Sequence, residues 1–399
     1  MRGSPGVGGK PSFLPRPYGR LSRRFGALTR LTTLFMERSQ KCALDLKITF
    51  PEGSFEPEAS LVINVLSEAS TRWQCFTLSI PDTISTRSDL LFPNAQGKIL
   101  PILKHLRIEN RPTNAMRQTL EPITRLFATS PSLCSSEVVR RGRLIANLGI
   151  PFGQITRMEL DTAYTPTVLR LLGKFPRLQE LRLIYIVQME DPDVQHIRSS
   201  TMGSLSLSVK TQTAMDSPFQ HLTIPSLEVL TLSSSPSFHA TVLEFRRGWT
   251  CSAIGDFLTR SGCHITSLCL HTLPITDTEA FSLLKFMPML NSLRVEEGLT
   301  LPSASINDTN IIVTEIFLRQ LVVNPETYQS GRSGTAFLSF LTDIVFKVRA
   351  RGPAGEDLFA VVAFRWVPEA ERARELGVKC LRSADITVVG CDDRANSSP

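Results

Sequence analysis

The sequence predicts an α/β fold: an irregular leucine-rich-repeat solenoid with a stacked parallel sheet on the concave face and helices on the convex face. Three observations carry that expectation. A six-residue phrase, apolar-x-x-apolar-x-apolar, recurs in one register along most of the 399 residues. From residue 155 onward its copies start 23, 24, 25, 38, 25 and 28 residues apart, mostly within the range of roughly 20–29 residues typical of leucine-rich repeats. The segments between copies place apolar residues at helical spacing, as the return path of a parallel sheet requires.

The copies follow in order. Leu44, Leu46 and Ile48 keep the last part of the phrase, and WQCFTL (73–78) is a first full copy. LKHLRI (103–108) comes next, and Leu133 with Val138 marks a worn copy inside the 52-residue gap to ITRMEL (155–160). Then come LQELRL (178–183), MGSLSL (202–207), LEVLTL (227–232), ITSLCL (265–270), LNSLRV (290–295) and LRQLVV (318–323). Between them, VLRLLGKF, IGDFLTRS and FSLLKFM read as helices, and Pro176, Pro225 and Pro288 stand where helix should give way to strand. The unit FMERSQKCALDLKI (35–48) parallels FLTRSGCHITSLCL (257–270): an aromatic, an apolar residue and Arg-Ser close a helix before a strand.

Alternation within x-L-x-L sends apolar side chains inward and the residues between them outward. The outward set is the candidate partner-binding face: His105, Arg107 and Glu109, then Arg157 and Glu159, then Glu180 and Arg182, then Cys269 and His271, and last Arg294 and Glu296. Solenoids present such faces to protein partners. A second candidate surface is the pair of loops near 81–99 and 233–250. Cys263, His264, Cys269 and His271 lack the C-x₂₋₄-C and H-x₃₋₅-H spacing of zinc sites, so no metal and no cofactor is expected. No G-x-S-x-G or H-E-x-x-H set occurs, and SGRSG (330–334) does not match the first. A non-enzyme is the reading these absences favour. A degenerate or truncated repeat protein without a ligase role, or an unrecognised enzyme on a solenoid-like shell, are the alternatives.

Charge and flanks complete the picture. Residues 1–42 hold nine Lys/Arg against one acid, Glu37, so their +8 leaves about −1 for the rest of a chain whose total is +7. A neutral body implies no nucleic-acid partner. Residues 1–30 read as a basic disordered tail, 31–350 as the solenoid, 351–391 as capping strands and 392–399 as a second tail. In detail, AFLSFLTDIVFKVR (336–349) reads as a closing helix, and DLFAVVAFRW (357–366) and DITVVGC (385–391) as final strands. Eight cysteines without a C-x-x-C pair suit a reducing compartment. No run of 18 apolar residues exists, so no membrane partner is expected. A cytoplasmic or nuclear address follows, with a mitochondrial one as the alternative suggested by the Arg-rich start.

Together STRW (70–73), IPFGQITRMEL (150–160), LLGKFPRLQELRL (171–183), LTIPSLEVLTL (222–232) and FLTRSGCHITSLCL (257–270) resemble the leucine-rich-repeat portion of fungal, mushroom-type F-box proteins, over about residues 31–350. The resemblance implies a substrate-recognition role in a cullin-type ubiquitin ligase. Members of that family open with an F-box that docks a Skp-type adaptor. Residues 1–30 show no Leu-Pro-x-Glu-type opening, so the resemblance implies a Skp-type adaptor as partner only where an F-box stands upstream.

Overall fold

The computed structural model describes residues 18–50, 59–81, 92, 95, 97–111, 125–140, 149–161, 165–186, 195–234, 249–297, 311–322, 336–349, 355–367 and 369–389. Twelve strands form one sheet, and every hydrogen-bonded pair in it is parallel. In sheet order they are β1 (Leu44–Thr49), β2 (Trp73–Pro81), β3 (His105–Arg111), β4 (Ser135–Arg140), β5 (Arg157–Asp161), β6 (Glu180–Ile186), β8 (Ser204–Val209), β10 (Val229–Ser234), β11 (Ser267–His271), β12 (Ser292–Glu296), β13 (Asp343–Arg349) and β14 (Ser383–Val389). Two short strands, β7 (Ile197–Arg198) and β9 (Leu222–Thr223), pair separately. The α/β solenoid is therefore the fold, and the phrase's register is its strand register.

That register has a simple cause. The middle and last apolar residues of each phrase lie opposite their counterparts across the sheet. Leu106, Ser136, Met158, Leu181, Leu205, Leu230, Leu268, Leu293 and Ile344 form one inward row. Ile108, Val138, Leu160, Leu183, Leu207, Leu232, Leu270, Val295 and Phe346 form the next. These residues are buried in one continuous core, Ser136 being its polar exception. Burying each leucine contributes about 1.5–3 kcal/mol. A one-residue slip would turn a whole row to water, so the register is strongly held.

A repeated backbone device reinforces it. From β3 onward, the carbonyl just before a strand accepts two successive N–H groups from the next unit. Lys104 O takes Cys134 N and Ser135 N at 3.1 Å each, and Cys134 O takes Thr156 N and Arg157 N at 2.9 and 3.1 Å. Thr156, Gln179, Gly203, Glu228, Thr266, Asn291 and Thr342 repeat the arrangement up to β14.

The described helices are α1 (Tyr18–Ser39), α2 (Ala59–Glu68), α3 (Thr165–Leu172), α4 (Gln212–His221), α5 (Ser252–Ser261), α6 (Asp277–Leu284), α7 (Glu315–Leu321), α8 (Gly355–Arg365) and α9 (Ala370–Glu375). Local chemistry sets their ends. Thr276 and Glu279 form a capping box on α6. Thr314 caps α7 through Phe317 N, and Gly262, at φ +60°, closes α5. Gly255 lets α5 approach the Phe286 ring, which a Cβ would meet at 2.7 Å.

Four expectations are corrected. Residues 18–30 are not tail but the first half of α1; residues 1–17 lie outside the described residues. The described part of LRQLVV, residues 318–322, is not a strand. Leu318 and Leu321 sit in α7 at i, i+3, a spacing that fits the phrase and a helix equally. The closing helix at 336–349 is instead a turn followed by β13, whose phrase is Leu341, Ile344 and Phe346, all buried. The run 357–366 is helix, not strand. Glu356 and Asp357 stand in its acidic first turn, and Leu358, Val361 and Arg365 face inward at helical spacing. The last strand does form, as β14, and the tail 392–399 lies outside the described residues.

Arg365 explains why α8 holds. Its guanidinium is fully buried. It donates to Leu321 O at the end of α7 (2.5 Å), to Leu338 O (3.0 Å) and to Phe337 O (2.6 Å). A cation against the C-terminal carbonyl of a helix is favourable both as a hydrogen bond and toward the helix dipole.

Candidate functional site

The outward residues fall into three parallel rows across the sheet. One runs His105, Ser135, Arg157, Glu180, Ser204, Val229, Ser267, Ser292. The central one runs Arg107, Glu137, Glu159, Arg182, Ser206, Thr231, Cys269, Arg294. The third runs Glu109, Val139, Asp161, Ile184, Ser208, Ser233, His271, Glu296. All eleven residues expected on this face are on it, in strands β3, β5, β6, β11 and β12.

The structure brings most of them into pairs. Arg107 donates through Nε to Glu109 (2.7 Å) and through Nη1 to Glu137 on the next strand. Arg157 meets Glu180 at 2.8 Å, and Arg182 reaches Glu159 at 3.5 Å. Glu296 receives both Arg294 and His271 Nδ1, the latter at 3.1 Å. His105 is exposed, and Cys269 lies half-buried beside Arg294. The arginines keep about half their surface in water, so each pair adds little to stability.

The central row carries a residue the repeat pattern did not single out. Glu137, in the worn copy of the phrase, accepts Arg107 and lies within hydrogen-bonding reach of Glu159. Two carboxyls thus stand side by side between Arg107 and Arg182. Burial and the neighbouring Glu137 charge raise the pKa of Glu159, while Arg182 and Arg107 pull it back in part. The alternation Ser136-Glu137-Val138 was the available signal, since it fixes Glu137 outward.

At the other end the balance reverses. Burial alone would raise the pKa of Glu296, but Arg294 and His271 outweigh it and bring it below the ordinary value. Burial raises that of the Cys269 thiol; Arg294 lowers it and Glu296 raises it. This thiol is thus held protonated and poorly nucleophilic. Between the two charged zones, β8 and β10 present Ser204, Ser206, Ser208, Thr231 and Ser233 around the apolar Val229.

Two positive-φ residues mark the rim where strands end. Tyr185, at φ +54°, sits at a register shift in β6, and Lys210 Nζ lies 5.5 Å from its ring centroid. Thr272, also at φ +54°, follows β11. It is fixed by Thr272 N to Glu296 O (2.7 Å), Thr272 Oγ1 to Ser234 O (2.9 Å) and a bond from Ser234 Oγ to Thr272 O. Such backbone conformations cost on the order of 1 kcal/mol each for residues other than glycine and persist where contacts over-determine them.

Cys263, His264, Cys269 and His271 do not converge: Cys263 packs on the helix-side core while Cys269 and His271 face outward. Among the described residues no group of three or more His, Cys, Asp or Glu side chains is placed to hold a metal. Among them also, no helix is long and apolar enough to cross a membrane. Most of both candidate loops, 82–91 and 235–248, lies outside the described residues.

No family model and no curated protein matches the chain. Solved structures do. A Bacteroides fragilis protein is similar over 92% of this chain and 82% of its own, at 11% identity and a TM-score of 0.36. A structure of the yeast Rad7 and Elc1 complex is similar over 73% of this chain and 86% of its own, at 14% identity and a TM-score of 0.29.

Proposed function

We propose that the protein is a recognition scaffold that binds a protein ligand on the outward face of its parallel sheet. The observation that carries this reading is the strand register shared along the sheet. It ranks polar side chains from twelve strands into rows, with arginines half exposed at Arg157, Arg182 and Arg294. Solenoid sheets serve partners in this way, and arginine is enriched at protein interfaces. The charged zones supply orientation, and the hydroxyl strands between them let a partner backbone approach closely.

The resemblance to fungal F-box repeats gives the proposal its specific form, the substrate-binding part of a ubiquitin-ligase receptor. Affinity capture from the native cell tests both levels. Recovery of a Skp-type adaptor supports the receptor form. Its absence while other proteins are captured removes that form and keeps the scaffold. Arg182→Ala combined with Arg294→Ala should weaken the captured partner by about tenfold or more while the protein keeps its native circular dichroism and loses no more than about 1–2 kcal/mol of stability. Unchanged capture across substitutions of all the outward strand positions would overturn the site.

A further inference from the structure

The two ends of the solenoid carry matching unsatisfied surfaces. The unit around Phe35 and the unit around Phe257 have parallel sequences, yet their aromatic residues differ completely in environment. Phe257 is fully buried and packs on Phe219 of the preceding helix, with ring centroids 5.0 Å apart. Phe35 is 56% exposed. Helix α1 turns Thr29, Thr32, Thr33 and Met36 toward the protein and leaves Leu28, Leu31 and Phe35, an i, i+3, i+7 stripe, outward. A helix that shows its leucines to water and its threonines to the core is laid for a neighbour on its far side.

The opposite end offers that neighbour. Helix α8 packs inward through Leu358, Val361 and Arg365. Beside that face Phe359 and Trp366, seven residues apart, are 72% and 54% exposed, with Val362 between them half-buried against the core. Strand β14 is the last of the sheet, and its inward row ends in Val388, 57% exposed, where the ten interior strands, β2 to β13 in sheet order, bury theirs. Among the described residues, strand β1 is the open edge at the other end, with the matching alternation Leu44, Leu46, Ile48. Among the described residues, nine of the fifteen exposed large apolar side chains lie on α1, α2, α8 with Trp366, and β14. Charge favours unlike ends as well: α1 has five arginines against Glu37, which disfavours pairing with itself, while α8 opens on Glu356 and Asp357.

We infer that the C-terminal end of one copy docks on the N-terminal end of a second, α8 filling on α1 the place that Phe219's helix fills on α5, and β14 pairing in parallel with β1. The contact is heterologous, so it leaves one free end of each kind and continues into chains or a ring. It is independent of what the sheet face binds.

Sedimentation equilibrium on the full chain tests this. The wild-type mass should rise with concentration. Phe35→Glu and Val388→Glu should each stay at the monomer mass when alone. Mixed in equal amounts, they should form a species of twice that mass and no larger, since each retains the end the other lacks. Leu31→Glu and Phe359→Glu, also at exposed positions, repeat the experiment should either first variant lose its native circular dichroism. A wild type that stays monomeric at every concentration overturns the inference. So does a Val388→Glu protein that still self-associates, which would mean like ends pair.

Discussion

Strands β3 to β6 and strands β8 to β10 are built on the same inward rows but turn opposite chemistry to the outside. The first group carries Arg107, Glu109, Glu137, Arg157, Glu159, Glu180 and Arg182, tied into pairs across strands. The second carries Ser204, Ser206, Ser208, Thr231 and Ser233, with no charged residue in an outward strand position. Inward identity is set by packing, because a parallel sheet covered by helices favours apolar residues there, Ser136 being the exception in these two rows. Outward identity is free of that constraint, so the contrast between the two halves reports on what the face meets.

The largest effects should show that the halves are equivalent inside. Leu160 and Leu207 occupy the same inward row and are both buried. Leu160→Ala and Leu207→Ala should each cost about 2–5 kcal/mol in urea or guanidinium unfolding. A loss confined to one of them would show that the core is not shared evenly, and the comparison would fail at its base.

How much of this was legible in the sequence follows the same inward–outward division. The strands read correctly wherever Leu-x-x-Leu-x-Leu stood beside a turn, because both the spacing and the stop were present. The errors came where one cue served two structures. Leu318 and Leu321 satisfy a phrase and a helix alike. Phe337, Leu341, Ile344 and Val348 mimic a helical stripe, although Ile344, Phe346 and Val348 alternate as a strand. Val361 and Val362 suggested a strand, while Arg365, which anchors the helix by donating to three carbonyls, has no local signature. The eleven outward residues were legible from alternation alone. Their pairing was not, since it depends on which strands adjoin: Glu137 becomes a partner of Arg107 and Glu159 only when β4 lies between β3 and β5.

A second, smaller effect belongs to the helix layer beside the hydroxyl strands. Asp216 on α4 is half-buried, and burial raises its pKa to about 6, although Gln212 Nε2 donates to it at 2.6 Å and lowers it. A carboxyl whose folded pKa is raised contributes a penalty that is full above that value and gone below the unfolded value near 4. Asp216→Asn should therefore stabilise the protein by about 1–3 kcal/mol at pH 7.5 and by nothing at pH 3.5. Thermal melts at the two values check this. An equal gain at both would mean that shape, not ionisation, is what the site resists.

The smallest effects separate the two charged zones flanking the hydroxyl strands. Glu159 has its pKa raised by burial and by Glu137, so its ionisation costs stability above the raised range and costs nothing below the ordinary one. Glu296 has its pKa lowered, burial being outweighed by Arg294 and His271. Its ionised form therefore adds stability above the ordinary range, and that stability is lost as pH falls through the depressed one. At pH 7, Glu159→Gln should leave stability equal or raise it by about 0.5 kcal/mol, while Glu296→Gln should lower it by about 0.5–1 kcal/mol. Both differences should shrink in acid, and the second should also fade at high salt, because its partners Arg294 and His271 stay open to solvent. Opposite signs at pH 7 would show that the carboxyl pair of β4 and β5 is held against its own repulsion, whereas β12 rests on an ordinary ion pair. Equal signs would mean that Arg107 and Arg182 compensate Glu137 and Glu159 in full, and the two zones would then be electrostatically alike.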